Sequence, residues 1–131
     1  MRALLVTAAL LVAGCPGHLD HPEQFTAGCP DVEAELLPSS CGSCHGASAP
    51  MAGLDLVSPG VGGRLVGTPA QGGPGLLVDP LNPDGSVLVR KLTPTPPFGA
   101  QDPPGAPLDP ASIDCIRAWV RTLLVMDGGT D

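Results

Sequence analysis

Two cysteines and a histidine stand together in the segment Cys41-Gly-Ser-Cys44-His45. The spacing Cys-x-x-Cys-His is the attachment signature for a c-type haem. Two thiols three positions apart, at the end of a helical turn, can add to the two vinyl groups on one edge of a porphyrin. The adjacent imidazole then reaches the iron from one face as the proximal ligand. The motif therefore predicts one covalent haem c, attached through Cys41 and Cys44 and ligated through its iron by His45.

The same cysteine pair is compatible with other chemistry: a disulfide, half of a zinc site, or a thioredoxin-like redox pair. A zinc site needs about four ligands, and the sequence contains no second Cys-x-x-Cys or His-x-x-x-His pair. A thioredoxin-like pair should open a helix after a strand, and no strand is predicted before Cys41. Haem is favoured, and an inert disulfide and a redox pair remain as alternatives.

The N-terminus predicts export. Met1-Arg2 precedes an apolar run from Ala3 to Ala13, which fits a secretory signal over residues 1–14 and is too short for a membrane span of about twenty residues. Residues 11–15, Leu-Val-Ala-Gly-Cys, resemble the lipobox of bacterial lipoproteins. That resemblance implies that Cys15 becomes the acylated N-terminus; the alternative is an ordinary signal peptide that leaves it free. We expect a lipid-anchored protein of the cell envelope that faces the periplasm or the cell surface.

Two cysteines are left once lipid and haem are assigned. Cys29 and Cys115 lie in the first and last predicted helices of the mature chain, and an oxidising compartment allows them to pair. We expect a Cys29–Cys115 disulfide, which would stabilise the fold by up to about 4 kcal/mol in the chain-entropy model. Two free buried thiols are the alternative.

Length and composition indicate one small domain. The chain has 131 residues, of which 18 are Gly and 17 are Pro, and its aromatic residues are two Phe and one Trp. A protein core of this composition is poor, and a haem macrocycle would supply much of the missing apolar surface. We expect a flexible tether over residues 15–28, a domain over 29–126 and a tail over 127–131.

The net charge of −7 argues against nucleic acid and against electrostatic docking on anionic lipid. It suits a protein partner with a basic patch, and it equally suits simple solubility.

The helical signals are few and short. A first helix is predicted to open at Cys29-Pro30 and to end at Pro38. Residues 46–75 read as a Gly/Pro-rich loop, and a short helix is predicted from Val87 to Leu92, capped by Asp84 or Ser86. Residues 93–110 contain seven prolines and cannot be regular structure. The clearest helix starts at Pro110 with Asp109 as its N-cap and carries an apolar stripe of Ile113, Ile116, Val120, Leu123 and Leu124, flanked by Cys115 and Trp119.

This order of elements predicts an all-α fold with few short helices joined by long loops around a covalent haem. It resembles the class I cytochrome c domain, and more narrowly the small lipid-anchored bacterial cytochromes. The resemblance covers about residues 29–125. It is carried by the haem motif with Gly46, by Gly53-Leu54-Asp55-Leu56, Asp79-Pro80, Ser86-Val87-Leu88, Lys91-Leu92 and Pro103-Pro104-Gly105, and by the segment from Cys115 to Val120.

The resemblance implies a one-electron carrier that works with redox proteins of the cell envelope and is not an enzyme. Apolar side chains at Leu54, Leu56, Leu65 and Val66 are expected to contact the haem. The carbonyl of Pro50 is a candidate acceptor for His45 Nδ1.

The iron's second axial ligand departs from the resemblance. Such cytochromes usually carry a Met-Pro pair in the Pro-rich loop, whereas this chain has Gln101-Asp102-Pro103. The candidates are an open or water-bound position, His18 or His21 of the tether, Met126 or Met51, and Asp102 or Gln101.

Because the Pro-rich loop lacks the expected methionine, other functions remain as alternatives. One is a haem protein that binds or senses small ligands at an open distal site. Another is a lipoprotein whose haem is mainly structural. A thiol-disulfide oxidoreductase using Cys41 and Cys44 is the remaining alternative.

Overall fold

The computed structural model describes residues 26–125. Within that range every regular element is a helix, and the backbone elsewhere forms turns and two isolated bridges, which pair Val66 with Val78 and Pro69 with Leu76. The all-α prediction is confirmed at this level. A π-helical turn at Val32–Leu36 continues into α1 (Leu37–Cys41), followed by α2 (Val61–Leu65), α3 (Val87–Lys91) and α4 (Pro110–Thr122), with single 3-10 turns at Met51–Gly53, Pro83–Gly85 and Leu123–Val125.

None of the helices in residues 26–125 combines the length and the apolar character needed to cross a membrane.

The first helix begins and ends later than predicted. Asp31 is its N-cap, and Asp31 Oδ1 accepts a hydrogen bond from Ala34 N at 2.9 Å. Pro38 does not end the helix but lies near the start of α1. Because Pro38 has no N–H to donate one turn back, the preceding turn is free to widen: Leu36 N donates to Asp31 O at 3.1 Å, a π-type bond. The helix therefore runs on to Cys41, the first cysteine of the haem motif.

The Gly/Pro-rich segment 46–75 is not entirely loop, because it contains α2. The sequence does not predict this helix because it contains Gly62 and Gly63, and glycine is a weak helix former. Gly62 is required by packing: a Cβ at this position would lie 2.7 Å from both Glu33 Oε1 and Leu123 Cδ2. The missing side chain lets α2 approach the first helix and the end of α4.

Helix α3 follows the predicted short helix and ends one residue earlier. Neither predicted cap acts as one. Ser86 occupies the N-cap position, but its fully buried hydroxyl accepts from Asp79 N at 2.8 Å and so holds the preceding loop. The carboxylate of Asp84 pairs with Arg117 on α4.

Helix α4 is the longest element and begins where the sequence predicts. Asp109 Oδ1 accepts from Ser112 N at 3.0 Å, and Pro110 is the first helical residue. Ile116 and Val120 are completely buried, whereas Leu124 at the end of the apolar stripe is 44% exposed. The buried face belongs to one hydrophobic core that includes residues of the other helices: Val32, Leu36, Leu37, Leu56, Val61, Leu65, Val78, Leu88, Val89, Leu92, Cys115, Ile116, Trp119, Val120 and Leu123.

Two links join the first helix, together with the residues just before it, to α4. Cys29 and Cys115 form a disulfide with their Cα atoms 5.6 Å apart, a normal separation for such a bond. Next to it, Glu33 Oε1 accepts hydrogen bonds from Trp119 Nε1 and from Gly62 N, each at 3.3 Å. In the structure one carboxylate oxygen ties the first helix to α2 and to α4.

Replacing Glu33 by alanine is expected to lower the free energy of unfolding by about 1–2 kcal/mol, since it leaves the indole and amide donors without their acceptor. Glu33→Gln keeps an acceptor oxygen and should recover part of the loss. Glu35→Ala is the matched control, because Glu35 lies on the same turn and is exposed. Urea unfolding of the three variants measures the effect, and equal losses for Glu33→Ala and Glu35→Ala would contradict the proposed link.

Candidate functional site

The haem motif forms one helical turn that continues from α1. His45 N donates to Cys41 O at 2.9 Å, and Cys44 N donates to the same oxygen at 3.2 Å. Both cysteines are free thiols and are partly exposed. The three side chains of the motif therefore project from a single turn at the C-terminal end of the first helix.

The imidazole of His45 is held by backbone carbonyls. Its Nδ1 lies 3.1 Å from Met51 O and 3.2 Å from Leu54 O. A carbonyl only accepts, so Nδ1 carries the proton and Nε2 has its lone pair free to bind a metal. The Pro50 carbonyl, which the sequence suggested for this role, instead accepts from Gly53 N at 3.0 Å.

The turn that carries these two carbonyls is strained at one residue. Ala52 has φ of 54°, in the left-handed region, and is the single non-glycine residue of the described range with positive φ; Gly53 follows with φ of 69°. The turn is also tied to the motif at both ends, since Met51 N donates to Cys44 O and Leu56 N donates to His45 O. Two left-handed residues in succession reverse the chain over the imidazole.

Asp55 stabilises the next turn. Hydrogen bonds from the Ser58 hydroxyl and from the backbone N–H groups of Ser58 and Val57 lower the pKa of its carboxyl group to about 2. Since the folded pKa lies below the ordinary value, these bonds are in place at and above about pH 4 and are lost as the pH falls towards 2. The carboxylate of Asp55 therefore keeps these hydrogen bonds throughout the physiological pH range.

A cavity of about 470 Å³ opens beside Cys41 and His45. This volume lies within the range of small-molecule and cofactor sites. Val87 and Phe98 contribute to its apolar walls, together with six leucines: Leu54, Leu56, Leu65, Leu77, Leu88 and Leu92. Residues from the haem-motif turn, α2, α3 and the Pro-rich loop thus surround one space.

Lys91 and Asp102 form a polar part of the cavity wall. The ammonium group of Lys91 lies 3.5 Å from Asp102 Oδ2, and its side chain is only 18% exposed. The same group donates to the carbonyls of Phe98, at 3.1 Å, and Ala100. In return, Asp102 N donates to Lys91 O at 2.8 Å. One lysine at the end of α3 therefore anchors residues 98–102 of the Pro-rich loop.

Phe98 closes the rim of the cavity between two loops. Its ring lies over Gly72 and Gly73, so closely that a Cβ on Gly73 would be 2.3 Å from a ring carbon. The Lys91 ammonium lies 5.4 Å from the centre of the same ring, within the range of a cation–π contact. The Pro-rich loop is thus attached both to α3 and to the loop after α2.

The structure brings several of the residues predicted for the site to this cavity. Cys41, His45, Met51 and Asp102 all line it, as do three of the four predicted apolar contacts. Cys44 is partly exposed and is not among the lining residues.

The other predicted residues lie elsewhere. Val66, the fourth predicted apolar contact, pairs with Val78 in an isolated bridge. Gln101 donates its side-chain N–H to Leu92 O at 2.8 Å. The remaining candidates, Cys15, His18, His21 and Met126, lie outside the described residues.

Lys91 was missed as a site residue, although its sequence context contains a signal. The loop after it is rich in proline, and proline has no N–H, so the loop carbonyls lack backbone donors. A lysine supplies three donors on a flexible stem. A buried lysine directly before such a loop is therefore suited to satisfy the carbonyls that the loop itself cannot.

The Cys41 thiol has an unusually high pKa. Burial is the main cause, with further contributions from the negative charges of Asp102 and of Cys44, and together they raise the pKa to about 11. A thiol with this pKa remains protonated at neutral pH. Thiol-disulfide exchange needs a thiolate, so the surroundings of Cys41 are those of an unreactive thiol.

In the part of the chain from residue 26 to residue 125, no three His, Cys, Asp or Glu side chains gather in a way that would hold a metal ion by themselves. Comparison with protein-family models, curated proteins and solved structures yields no match to this chain.

Replacing the strained Ala52 by glycine is expected to raise the free energy of unfolding by about 0.5–1 kcal/mol, because relief of the left-handed strain outweighs the entropy cost of glycine. Ala49→Gly is the control: Ala49 is exposed and outside the left-handed region, so the same change should destabilise or have no effect. Denaturant unfolding of both variants provides the test. A loss of stability in Ala52→Gly equal to that of the control would show that the turn is not strained.

Proposed function

We propose that this chain is an exported, lipid-anchored c-type cytochrome that carries one haem through Cys41 and Cys44 and transfers single electrons. The observation that carries the proposal is the hydrogen bonding and position of the His45 imidazole. Its Nδ1 is committed to two backbone carbonyls, its ring lines an apolar cavity, and its Nε2 is left for a metal. Hydrogen bonding of the outer nitrogen to a carbonyl is how proteins fix the tautomer of a metal-binding histidine.

The residues around the cavity fit a porphyrin better than a bare metal ion. Among the described residues His45 has no partner ligands for a closed metal site, whereas a haem brings four nitrogen ligands of its own. The leucine-rich walls suit a flat apolar macrocycle, and Cys41 lies on the wall next to the imidazole. Cys44 belongs to the same turn and is partly exposed, so its thiol is accessible for the second thioether bond.

Bound haem supplies one-electron exchange between the ferric and ferrous states of iron. The contribution of the chain is to hold and surround it. His45 is oriented by Met51 O and Leu54 O, the leucines exclude water, and the loop fixed by Lys91 closes one side. Burial and the surrounding hydrogen bonds are the features by which a protein sets the reduction potential of a haem.

The link between the two terminal helices supports a cytochrome c-like arrangement. In that type of domain the first and last helices pack across each other beside the haem. Here the disulfide and the Glu33 to Trp119 hydrogen bond join the same two elements, and the first helix leads directly into the haem motif. We include this arrangement in the proposal.

The proposal extends to location and partners. The signal and lipobox-like segment ending at Cys15 support a location in the cell envelope, facing the periplasm or the cell surface, with attachment by an N-terminal lipid. The net charge of −7 favours redox proteins with a basic docking patch as partners and disfavours nucleic acid.

Two alternatives lose support from the site. A thiol-disulfide oxidoreductase needs a thiolate of low pKa, and the pKa of Cys41 is raised to about 11. An inert Cys41–Cys44 disulfide does not fit either, since the two cysteines are free thiols whereas Cys29 and Cys115 are joined.

Expression with a haem-attachment system should yield a chain that retains haem on a denaturing gel. Cys41→Ala combined with Cys44→Ala is expected to abolish the haem stain, because no thioether bond can form. The matched control is Cys29→Ser combined with Cys115→Ser, which removes the other two domain cysteines and should keep the stain. A wild-type chain without stain, or loss of stain in the control pair alone, would overturn the proposal.

Electron transfer is tested by the potential of the holoprotein. We expect reversible one-electron titration followed optically. Leu77→Asn, on the cavity wall, should lower the reduction potential, because a polar neighbour favours the charged ferric state. The expected shift is roughly 59 mV or less, where 59 mV corresponds to a tenfold change in the equilibrium constant of a one-electron couple. Leu81→Asn is the control, since Leu81 is 83% exposed and lies outside the cavity. A haem that exchanges electrons with mediators only slowly and with hysteresis would indicate a structural role instead.

A further inference from the structure

At the cavity wall, one carboxylate oxygen of Asp102 has no hydrogen-bond partner among the described residues. Its Oδ2 pairs with Lys91 at 3.5 Å, and its backbone N–H donates to Lys91 O. Among the residues that the structure describes, Lys91 is the only hydrogen-bonding or ionic partner of this carboxylate. Lys91 therefore positions the group at both its backbone and its side chain, while lone pairs on the carboxylate remain available to a molecule in the cavity.

The protein groups that line the cavity are poorly suited to bind the iron opposite His45. The Met51 carbonyl accepts from His45 Nδ1, so the backbone of Met51 lies beside the ring edge that faces away from the metal. The Lys91 ammonium group donates to two carbonyls and pairs with a carboxylate, and an ammonium group has no lone pair to donate. Asp102 is itself held by Lys91.

We propose that the second axial position of the haem iron is open to exchangeable ligands, and that Asp102 selects for neutral ligands that carry a proton. Water is the resting occupant. This inference rests on the proposed function, since it needs a haem ligated by His45. Ionised carboxylates only accept hydrogen bonds, so Asp102 stabilises a bound molecule that can donate one. The same negative charge opposes bound anions.

The first measurement is the optical spectrum of the holoprotein. We expect a ferric spectrum typical of a water-bound iron and a ferrous protein that binds carbon monoxide. A low-spin ferric protein whose reduced spectrum carbon monoxide leaves unchanged has an internal ligand, and that result overturns the inference while leaving the proposed cytochrome intact. A chain without covalent haem overturns the proposed function instead.

The second measurement compares azide, an anion, with imidazole, a neutral ligand that carries an N–H. Asp102→Asn is expected to raise the affinity of the ferric protein for azide by roughly tenfold or more, because a negative charge is removed from the ligand's surroundings. Affinity for imidazole should fall or stay within about threefold of the wild-type value, since the amide retains an acceptor oxygen. An unchanged ratio of the two affinities would show that Asp102 does not face the ligand.

Glu35→Gln serves as the charge control. Glu35 is exposed and is not among the residues that line the cavity, so this variant removes one surface charge and should leave the azide-to-imidazole ratio at the wild-type value. An equal effect of Glu35→Gln would reduce the role of Asp102 to overall charge and would refute the selectivity.

Asp102→Met tests position directly. Thioether sulfur is a stable axial ligand of haem iron, so a methionine that reaches the iron should make the ferric protein low-spin and block carbon monoxide. Retention of an open position in this variant would place residue 102 out of reach and would contradict the inference. Because the readout is spectroscopic, it does not depend on electron-transfer activity.

Discussion

The connection between the first helix and α4 is the constraint on which the rest of this structure depends. The chain is poor in aromatic residues, and its helices other than α4 are short segments that would not persist alone. The Cys29–Cys115 disulfide and the Glu33 carboxylate hold the two helices together and bring α2 against both. The C-terminal end of the first helix, where the haem motif begins, is positioned by this connection.

The loops around the cavity are held in place by hydrogen bonds from side chains to their backbone carbonyls. Loops rich in glycine and proline have many acceptors and few donors. Two polar side chains meet this excess at the cavity: His45 donates to the carbonyls of the turn after it, and Lys91 donates to those of the Pro-rich loop. Both interactions orient the side chain and fix the loop at once. The cavity is bounded by loops that these two residues anchor.

Such a site has direct consequences for the proposed cofactor. A macrocycle in the cavity would complete the apolar core between α2, α3 and the two loops, and its iron would meet an imidazole whose tautomer is already set. The wall of the same cavity carries a lysine–aspartate pair. In haem proteins the polarity of the pocket on the ligand-binding side, its hydrogen-bonding groups and its accessibility decide between binding of small ligands and electron transfer alone.

Much of this arrangement could be predicted from local chemistry. The helix from Pro110 with its Asp109 cap follows from a capping residue, a proline and an apolar stripe, all of which act within a few turns. The all-α class and the position of the short helix at Val87 follow in the same way.

Predictions were wrong where a local signal was overridden by packing. Pro38 was taken as the end of the first helix, yet the widened turn before it carries the helix on to Cys41. Helix α2 was missed because the glycine that weakens it locally is the one that its packing requires.

The sequence by itself determined the Cys-x-x-Cys-His motif and the pair Cys29 and Cys115 that was left for a disulfide, because both follow from residue types and their spacing. Only the tertiary structure decided which carbonyls hold His45, how Glu33 joins three elements, and that Lys91 and Asp102 share a cavity wall with Cys41. These contacts link residues up to 86 positions apart or depend on the path of irregular loops. No periodic pattern encodes such a path, since it is set by packing and by the need of each buried carbonyl for a donor.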